Sequence, residues 1–273
     1  MAGLQDNGFL PLATQRLEYR MIGPRPEERP TLVLLHEGLG SVGLWGDFPD
    51  RLAAATEAGV FVYSRAGYGH SSSVSLPRSL RYMHEEALTV LPNVLDAIGF
   101  RRGLLVGHSD GASIAVIYAG GVQDHRIRGL VLIAPHFVVE DVSVAEIARA
   151  RAAFESGGMR RRLARWHSDV VAAFRGWNDA WLHPGFRTWD ITEYLGYIRV
   201  PILIIQGDRD PYGTARQISI AQEECSCPVE VTMLAGVGHS PHREAVDSTV
   251  QAIAAFADRL FRLHGEGRFD RFA

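Results

Sequence analysis

Six short runs of the chain are apolar almost throughout instead of at every second position: TLVLLH (31–36), VFVYS (60–64), GLLVGH (103–108), GLVLIAP (129–135), PILIIQG (201–207) and VEVTML (229–234). Runs of this length, bounded by Gly, Pro and polar turn residues, fit parallel strands covered on both faces. Between them the period lengthens to that of a helix, in YMHEEALTVLPNVLDAIG (82–99) and DGASIAVIYAGG (110–121). The closing stretch AVDSTVQAIAAFADRLFRL (245–263) is amphipathic at helical spacing and should pack on the sheet as a last helix. Strand and helix in alternation predict an α/β fold with a mostly parallel, doubly wound sheet.

One segment interrupts the alternation. Residues 137–197 contain no convincing strand. Ser143-Val-Ala-Glu146 is a capping-box pattern that opens a helix, and Gly157-Gly158 ends it. Asp190-Ile-Thr-Glu193 is a second, weaker box, because Asp stands in for Ser or Thr. Four of the five tryptophans, Trp166, Trp177, Trp181 and Trp189, lie in this segment. The pattern predicts a core of residues 1–136 and 198–273, with a helical lid, 137–197, inserted over the sheet's edge. A plain extra layer of packed helices is the competing expectation.

Composition narrows the function. The chain has 273 residues, 47% of them hydrophobic and 22% charged, as in an ordinary globular protein. A net charge of −3 gives no basic footprint for nucleic acid. All 28 basic residues are arginine, which excludes Schiff-base lysine chemistry and a Walker-type phosphate loop. The first residues lack a cationic start followed by an apolar region, and no apolar run approaches the ~20 residues that span a bilayer. A soluble cytoplasmic protein, monomeric or homodimeric, is the expectation. Cys225 and Cys227, one residue apart, suit neither an unstrained disulfide nor a metal site. Nothing indicates a metal or an organic cofactor.

The chemistry concentrates at the ends of the predicted strands. In LLVGHSDGAS (104–113), Ser109 stands between Gly107 and Gly111, after a strand pattern and before a helical one. A nucleophile elbow needs this arrangement: the serine occupies a strained turn, and side chains two positions to either side would collide with the neighbouring strand and helix. The helix N-terminus favours negative charge there, and the N–H of Asp110 is placed to meet a developing oxyanion. A serine hydroxyl needs a general base and a group that orients it. Asp208 and Asp210 follow PILIIQG at the end of a strand, where active sites of open α/β sheets lie, and His239 follows VEVTML in a Gly-flanked loop.

With these motifs the chain resembles the α/β-hydrolase superfamily from about residue 31 to 263. LLHEGLGS is similar to its oxyanion loop, GHSDG to its elbow, IQGDRDPYG to its acid loop and GVGHSPHRE to its histidine loop. The 137–197 insertion sits where that superfamily carries a cap. The resemblance implies Ser109 as nucleophile, Asp210 as acid in preference to Asp208, and His239 as base. Gly38 and Asp110 would supply the oxyanion N–H groups, and His242 would be structural or gating. Glu140 or Asp141 could replace the acid in a relocated triad.

Two departures from the superfamily pattern stand out. The usual His-Gly pair is His36-Glu37 here, which puts a carboxylate beside the oxyanion donor. An unpaired anion there would oppose the chemistry, so Glu37 should be turned away or paired, with Arg65 as candidate partner. The common Asp-x-x-Gly-x-Gly-x-Ser turn appears at 64–71 with Ser64 in place of Asp. Glu37, His136, Trp177 and Trp181 are candidate substrate-binding residues. A serine nucleophile favours acyl transfer on a small ester or lactone carrying an apolar part. C–C cleavage of a ring-fission diketone, and a ligand-binding homologue without turnover, are the alternatives. Arg160, Arg161 and Arg162 read as a solvated helix face that could also attract a carboxylate at the rim.

Overall fold

A computed structural model describes residues 4–265. Its eight strands form one sheet in the order β1-β2-β4-β3-β5-β6-β7-β8. The strands are β1 (Asn7–Pro11), β2 (Arg16–Ile22), β3 (Thr31–Leu35), β4 (Gly59–Tyr63), β5 (Gly103–His108), β6 (Ile127–Ile133), β7 (Ile202–Gly207) and β8 (Val229–Leu234). From β4 to β8 every pairing is parallel, whereas β1–β2 and β2–β4 are antiparallel. The doubly wound, mostly parallel sheet expected from the apolar runs is present.

Strands β1 and β2 were not expected. In β2 the buried side chains are Leu17, Tyr19 and Met21, alternating with Arg16, Glu18 and Arg20. That period of two belongs to a strand with one wet face, not to a continuous apolar run. Edge strand β1 is short and ends on a proline, which suits an unpaired edge.

The helices are α1 (Phe48–Thr56), α2 (Tyr82–Glu85), α3 (Leu91–Ala97), α4 (Asp110–Val122), α5 (Asp141–Glu155), α6 (Gly158–Leu163), α7 (Val170–Trp181), α8 (Thr192–Leu195), α9 (Ala215–Glu224), α10 (Pro241–Glu244) and α11 (Val246–Gly265). Two apolar layers clothe the sheet. On one face β-strand residues such as Leu32, Val60 and Ile205 pack under α1 and α11. On the other, Val33, Leu105 and Ile204 pack under α2, α3, α4 and the inserted helices. Helix α4 is buried on nearly all sides, consistent with its lack of a polar face. The single helix expected over 82–99 is split by a π-helical turn at Glu86–Val90. Pro92, just inside α3, has no N–H to continue the ladder, which accounts for the local change of pitch.

The 137–197 segment between β6 and β7 is helical, apart from a bridge pairing Val138 with Asp190. Its first helix does not open at Ser143. It begins at Asp141, and the Ser143 hydroxyl is spent on the main-chain carbonyl of Tyr212 at 2.5 Å. It ends at Glu155, before the left-handed Gly157. The second box does not form as expected either: the N-cap of the one-turn α8 is Ile191, and Asp190 Oδ1 accepts from the Thr192 N–H at 2.8 Å from one residue further out.

Candidate active site

Ser109 joins β5 to α4 with φ 53° and ψ −116°, a left-handed setting costly for a residue with a side chain. The two glycines allow it. A Cβ on Gly107 would fall 2.3 Å from the Gly111 carbonyl oxygen, and one on Gly111 only 2.0 Å from that of Leu35. Neither neighbour is a flexible side chain, so the crossing of strand and helix demands both glycines. Asp110 starts α4, and its N–H has no intrahelical acceptor.

The loop after β3 is pinned from behind by buried polar groups. The Arg65 N–H donates to His36 Nε2 at 3.0 Å, which makes His36 Nδ1–H the donor to the Glu37 carbonyl at 2.6 Å. Burial, with Arg65 close by, pushes the His36 imidazole well below its ordinary range, so it stays neutral. The Arg65 guanidinium reaches the carbonyls of His36 and Glu37. A Cβ on Gly38 would sit 2.1 Å from Trp177 Nε1, so the inserted α7 closes directly onto this loop.

The expected Glu37–Arg65 pairing is not formed between side chains. Arg65 holds the main chain of Glu37, while its charge lies 3.9 Å from Asp110 Oδ2. The Glu37 carboxylate faces His108 Nδ1 at 3.6 Å and Arg243 at 3.7 Å. Burial works to raise the Glu37 carboxyl, while the Arg243 and Arg65 guanidinium groups work to lower it.

Ser64, where the superfamily pattern has Asp, ties its turn to two neighbouring segments. Its Oγ donates to Glu18 Oε2 at 2.7 Å and accepts from the Val42 N–H at 2.8 Å. Glu18, from the unexpected strand β2, thus returns a carboxylate to the turn and also accepts the His70 N–H.

The acid and base come from the loops after β7 and β8. His239 Nδ1–H donates to Asp210, at 2.9 Å from Oδ1 and 2.8 Å from Oδ2, leaving Nε2 free to take a proton. Asp210 also accepts from Gln206 Nε2 and the Tyr212 N–H, both at 2.8 Å. Burial opposes its charge, yet the hydrogen bonds and the neighbouring imidazole hold the Asp210 carboxyl below its ordinary value. The rival acids are occupied elsewhere. Asp208 caps the Gly236 N–H at 2.7 Å; Glu140 binds Thr214 and Gln217; Asp141 pairs with Arg187 at the surface. Glu244 holds the histidine loop by accepting the N–H groups of Gly238 at 2.8 Å and Ser240 at 3.0 Å.

Ser109, His239, Gly38, Asp110, Glu37, His136, Trp177 and Trp181 all line one cavity of about 240 Å³. Its far walls are apolar, from Leu39, Leu44, Ile147, Met159 and Leu163. Trp166 and Trp189 do not line it: Trp166 lies over Gly43, 40% exposed, and Trp189 stacks on Phe186. His136 is buried beside the His239 ring, with centroids 5.7 Å apart, and burial drives its imidazole down to about 3. His242 is packed between Trp45, Phe48 and His108 and does not line this cavity. Despite these imidazoles, no cluster among the described residues is arranged to hold a metal ion. Among the described residues, no helix is long and apolar enough to cross a membrane.

A family model described as the alpha/beta hydrolase family matches residues 32–255, which include the elbow, acid and histidine loops. The chain belongs to the alpha/beta hydrolase family. A proline iminopeptidase of Lactobacillus acidophilus is 31% identical over 125 residues, 46% of this chain and 42% of that relative. One from Lactobacillus helveticus is 23% identical over 92% of this chain and 97% of its own length. Among solved structures, the enol-lactonase of Burkholderia xenovorans shares the fold with a TM-score of 0.71 and 20% identity, over 91% of this chain and 99% of that one. This alpha/beta hydrolase has site residues the motifs did not single out. Tyr212, Arg243 and His108 join the site through space. All three stand inside quoted motifs, but only the fold shows which way they face.

Proposed function

We propose that the protein is a serine hydrolase that opens a small carboxylic ester or lactone through an acyl-enzyme on Ser109. The observation that carries this reading is the convergence, in one cavity, of a strained serine at a helix N-terminus with a histidine already oriented by a buried carboxylate. His239 Nε2 takes the Ser109 proton as Oγ attacks the substrate carbonyl. The N–H groups of Gly38 and Asp110 receive the developing oxyanion. His239 then protonates the leaving alcohol, and water activated by the same imidazole releases the acid. Asp210 stays ionised throughout and steadies the imidazolium.

The apolar walls and the modest cavity favour an acyl or alcohol group of roughly aromatic-ring size. The inserted helices act as a cap, with Trp177 and Trp181 against the substrate. The same acylation chemistry serves amide cleavage, the activity named for the Lactobacillus relatives, so the test must include an amide.

A fluorophosphonate probe should place one label on Ser109, and Ser109→Ala should abolish both labelling and hydrolysis. A panel of p-nitrophenyl esters, a γ-lactone, prolyl p-nitroanilide and a vinylogous diketone then ranks the substrate classes. Labelling that survives Ser109→Ala refutes the mechanism; preference for the anilide or the diketone moves the substrate while keeping the nucleophile.

A further inference from the structure

Glu37 is the residue that the serine mechanism, as described, leaves without a task. Its carboxylate lines the cavity with Ser109 and His239, yet it lies outside the Asp210–His239 pair. The residue it faces, His108, immediately precedes Ser109 and is buried. His108 Nε2–H donates to the main-chain carbonyl of His239 at 2.7 Å. That bond fixes the tautomer. The neutral ring presents its unprotonated Nδ1 to Glu37 Oε2 at 3.6 Å, so His108 does not neutralise the carboxylate. Burial, above all, keeps His108 neutral, pushing it down to about 4. The nearest cation is Arg243, at 3.7 Å and 41% exposed, where solvent weakens its hold.

We propose that Glu37 is a positioning residue for His239, supplying a second negative charge in the cavity that the catalytic imidazole lines. The inference rests on the serine-hydrolase reading above. When Ser109 gives up its proton, His239 becomes an imidazolium in a site largely shut off from water, and an anion nearby favours that form. Asp210 supplies this on the Nδ1 side. Glu37 supplies it from the side of the oxyanion loop, where it also opposes the oxyanion. The N–H groups of Gly38 and Asp110 offset the cost to the oxyanion, which leaves the gain at the imidazolium.

The groups around His239 define what else could titrate with it. Asp210 binds its Nδ1, Tyr212 stacks at 4.6 Å, and the rings of His108 and His136 lie at 5.1 and 5.7 Å. Glu37, Arg243 and His242 lie near it as well, and Glu244 holds the N–H groups of Gly238 and Ser240 on either side of it. His108, His136 and His242 are held neutral by burial. Near neutral pH, therefore, Glu37 is an anion beyond Asp210 that lines the same cavity as His239, so its removal should be felt there.

The test titrates the imidazole of His239 by NMR in the full chain, in parallel with the pH dependence of fluorophosphonate labelling. Glu37→Gln removes the charge and keeps the shape. The His239 midpoint should move to lower pH by about half a unit or more, and the acidic limb of labelling should move with it. Glu37→Asp should restore most of the shift. An unchanged or raised midpoint in folded Glu37→Gln overturns the proposal. If that variant does not fold, the wild-type Glu37 carboxyl carbon should show a second inflection at the His239 midpoint, and its absence overturns the proposal equally. The serine-hydrolase reading fails separately, through labelling that persists in Ser109→Ala, because the NMR midpoint needs no turnover.

Discussion

Trp181 Nε1 donates to Asp110 Oδ1 at 3.2 Å, so the helical insertion is tied by a hydrogen bond to the residue that follows the candidate nucleophile. The Asp110 carboxylate is fully buried and also accepts from Tyr82 Oη at 2.5 Å, with Arg65 at 3.9 Å as its counter-charge. Burial raises the Asp110 carboxyl above its ordinary value, and these donors work against that. Trp181→Phe keeps most of the ring but leaves Oδ1 without its donor. A buried acceptor stripped of a partner costs about 1–3 kcal/mol, so chemical denaturation should show a loss of that order. Ester hydrolysis should suffer chiefly in KM. A variant as stable as the wild type would show that the bond carries no net stability.

The elbow, the acid loop and the histidine loop were legible in the sequence because each role is bound to a local backbone demand. Gly107 and Gly111 announce a close approach, and Asp210 and His239 follow strands whose apolar runs are unmistakable. What was not legible depends on contacts across the fold. Strand β2 hid in an alternating pattern, and with it Glu18, the carboxylate that serves Ser64. The partner of Glu37 was misassigned to Arg65 because sequence places both near the same strand ends. Which atoms of Arg65 meet main chain and which meet Asp110 is a matter of depth and direction. Of the four inserted tryptophans, the fold puts the two candidates, Trp177 and Trp181, on the cavity and keeps Trp166 and Trp189 off it.

Asp210→Asn should lower kcat by about 10⁴, the size of the effect when an orienting carboxylate is lost from a serine–histidine pair. The amide would turn its NH₂ toward His239 Nδ1 and favour the wrong tautomer. Asp208→Asn removes a charge but keeps an oxygen that can accept the Gly236 N–H, and should leave kcat within a few-fold of wild type. Steady-state kinetics on a p-nitrophenyl ester checks both. A large loss for Asp208 with a small one for Asp210 would reverse the assignment.

Acid should unfold the protein early. His108 and His136 are buried as neutral rings, pushed by desolvation to about 4 and about 3, whereas the unfolded chain protonates its histidines near pH 6.5. Between those values the unfolded state binds more protons, so stability rises with pH and falls as pH drops below about 6.5. Each such ring contributes a slope of about 1.4 kcal/mol per pH unit over that window. Asp210 adds to the loss only at lower pH, as it protonates below its ordinary value. Urea unfolding at pH 7.5, 6 and 5 should show midpoints that decline steeply. A flat series would mean that the rings are reached by water or protons in the native state.

Trp177 and Trp189 offer a matched comparison, since they are 7% and 8% exposed and both lie in the insertion. Trp177 lines the cavity and presses on Gly38; Trp189 packs against Trp181 and Phe186, away from it. Truncating either to alanine removes a large buried ring and should cost about 3–5 kcal/mol in stability. The kinetic consequences should differ. Trp177→Ala opens the wall above the oxyanion loop, so KM should rise for small esters and the ranking should shift toward bulkier acyl groups. Trp189→Ala should change the ranking less, because it meets the cavity only through Trp181. Partial unfolding confuses such measurements, so Trp177→Phe serves as the milder variant, with KM expected to move in the same direction at near wild-type stability. If Trp177 and Trp189 variants changed the ranking equally, or neither changed it, the insertion would be a packed layer and not a cap that shapes the substrate pocket.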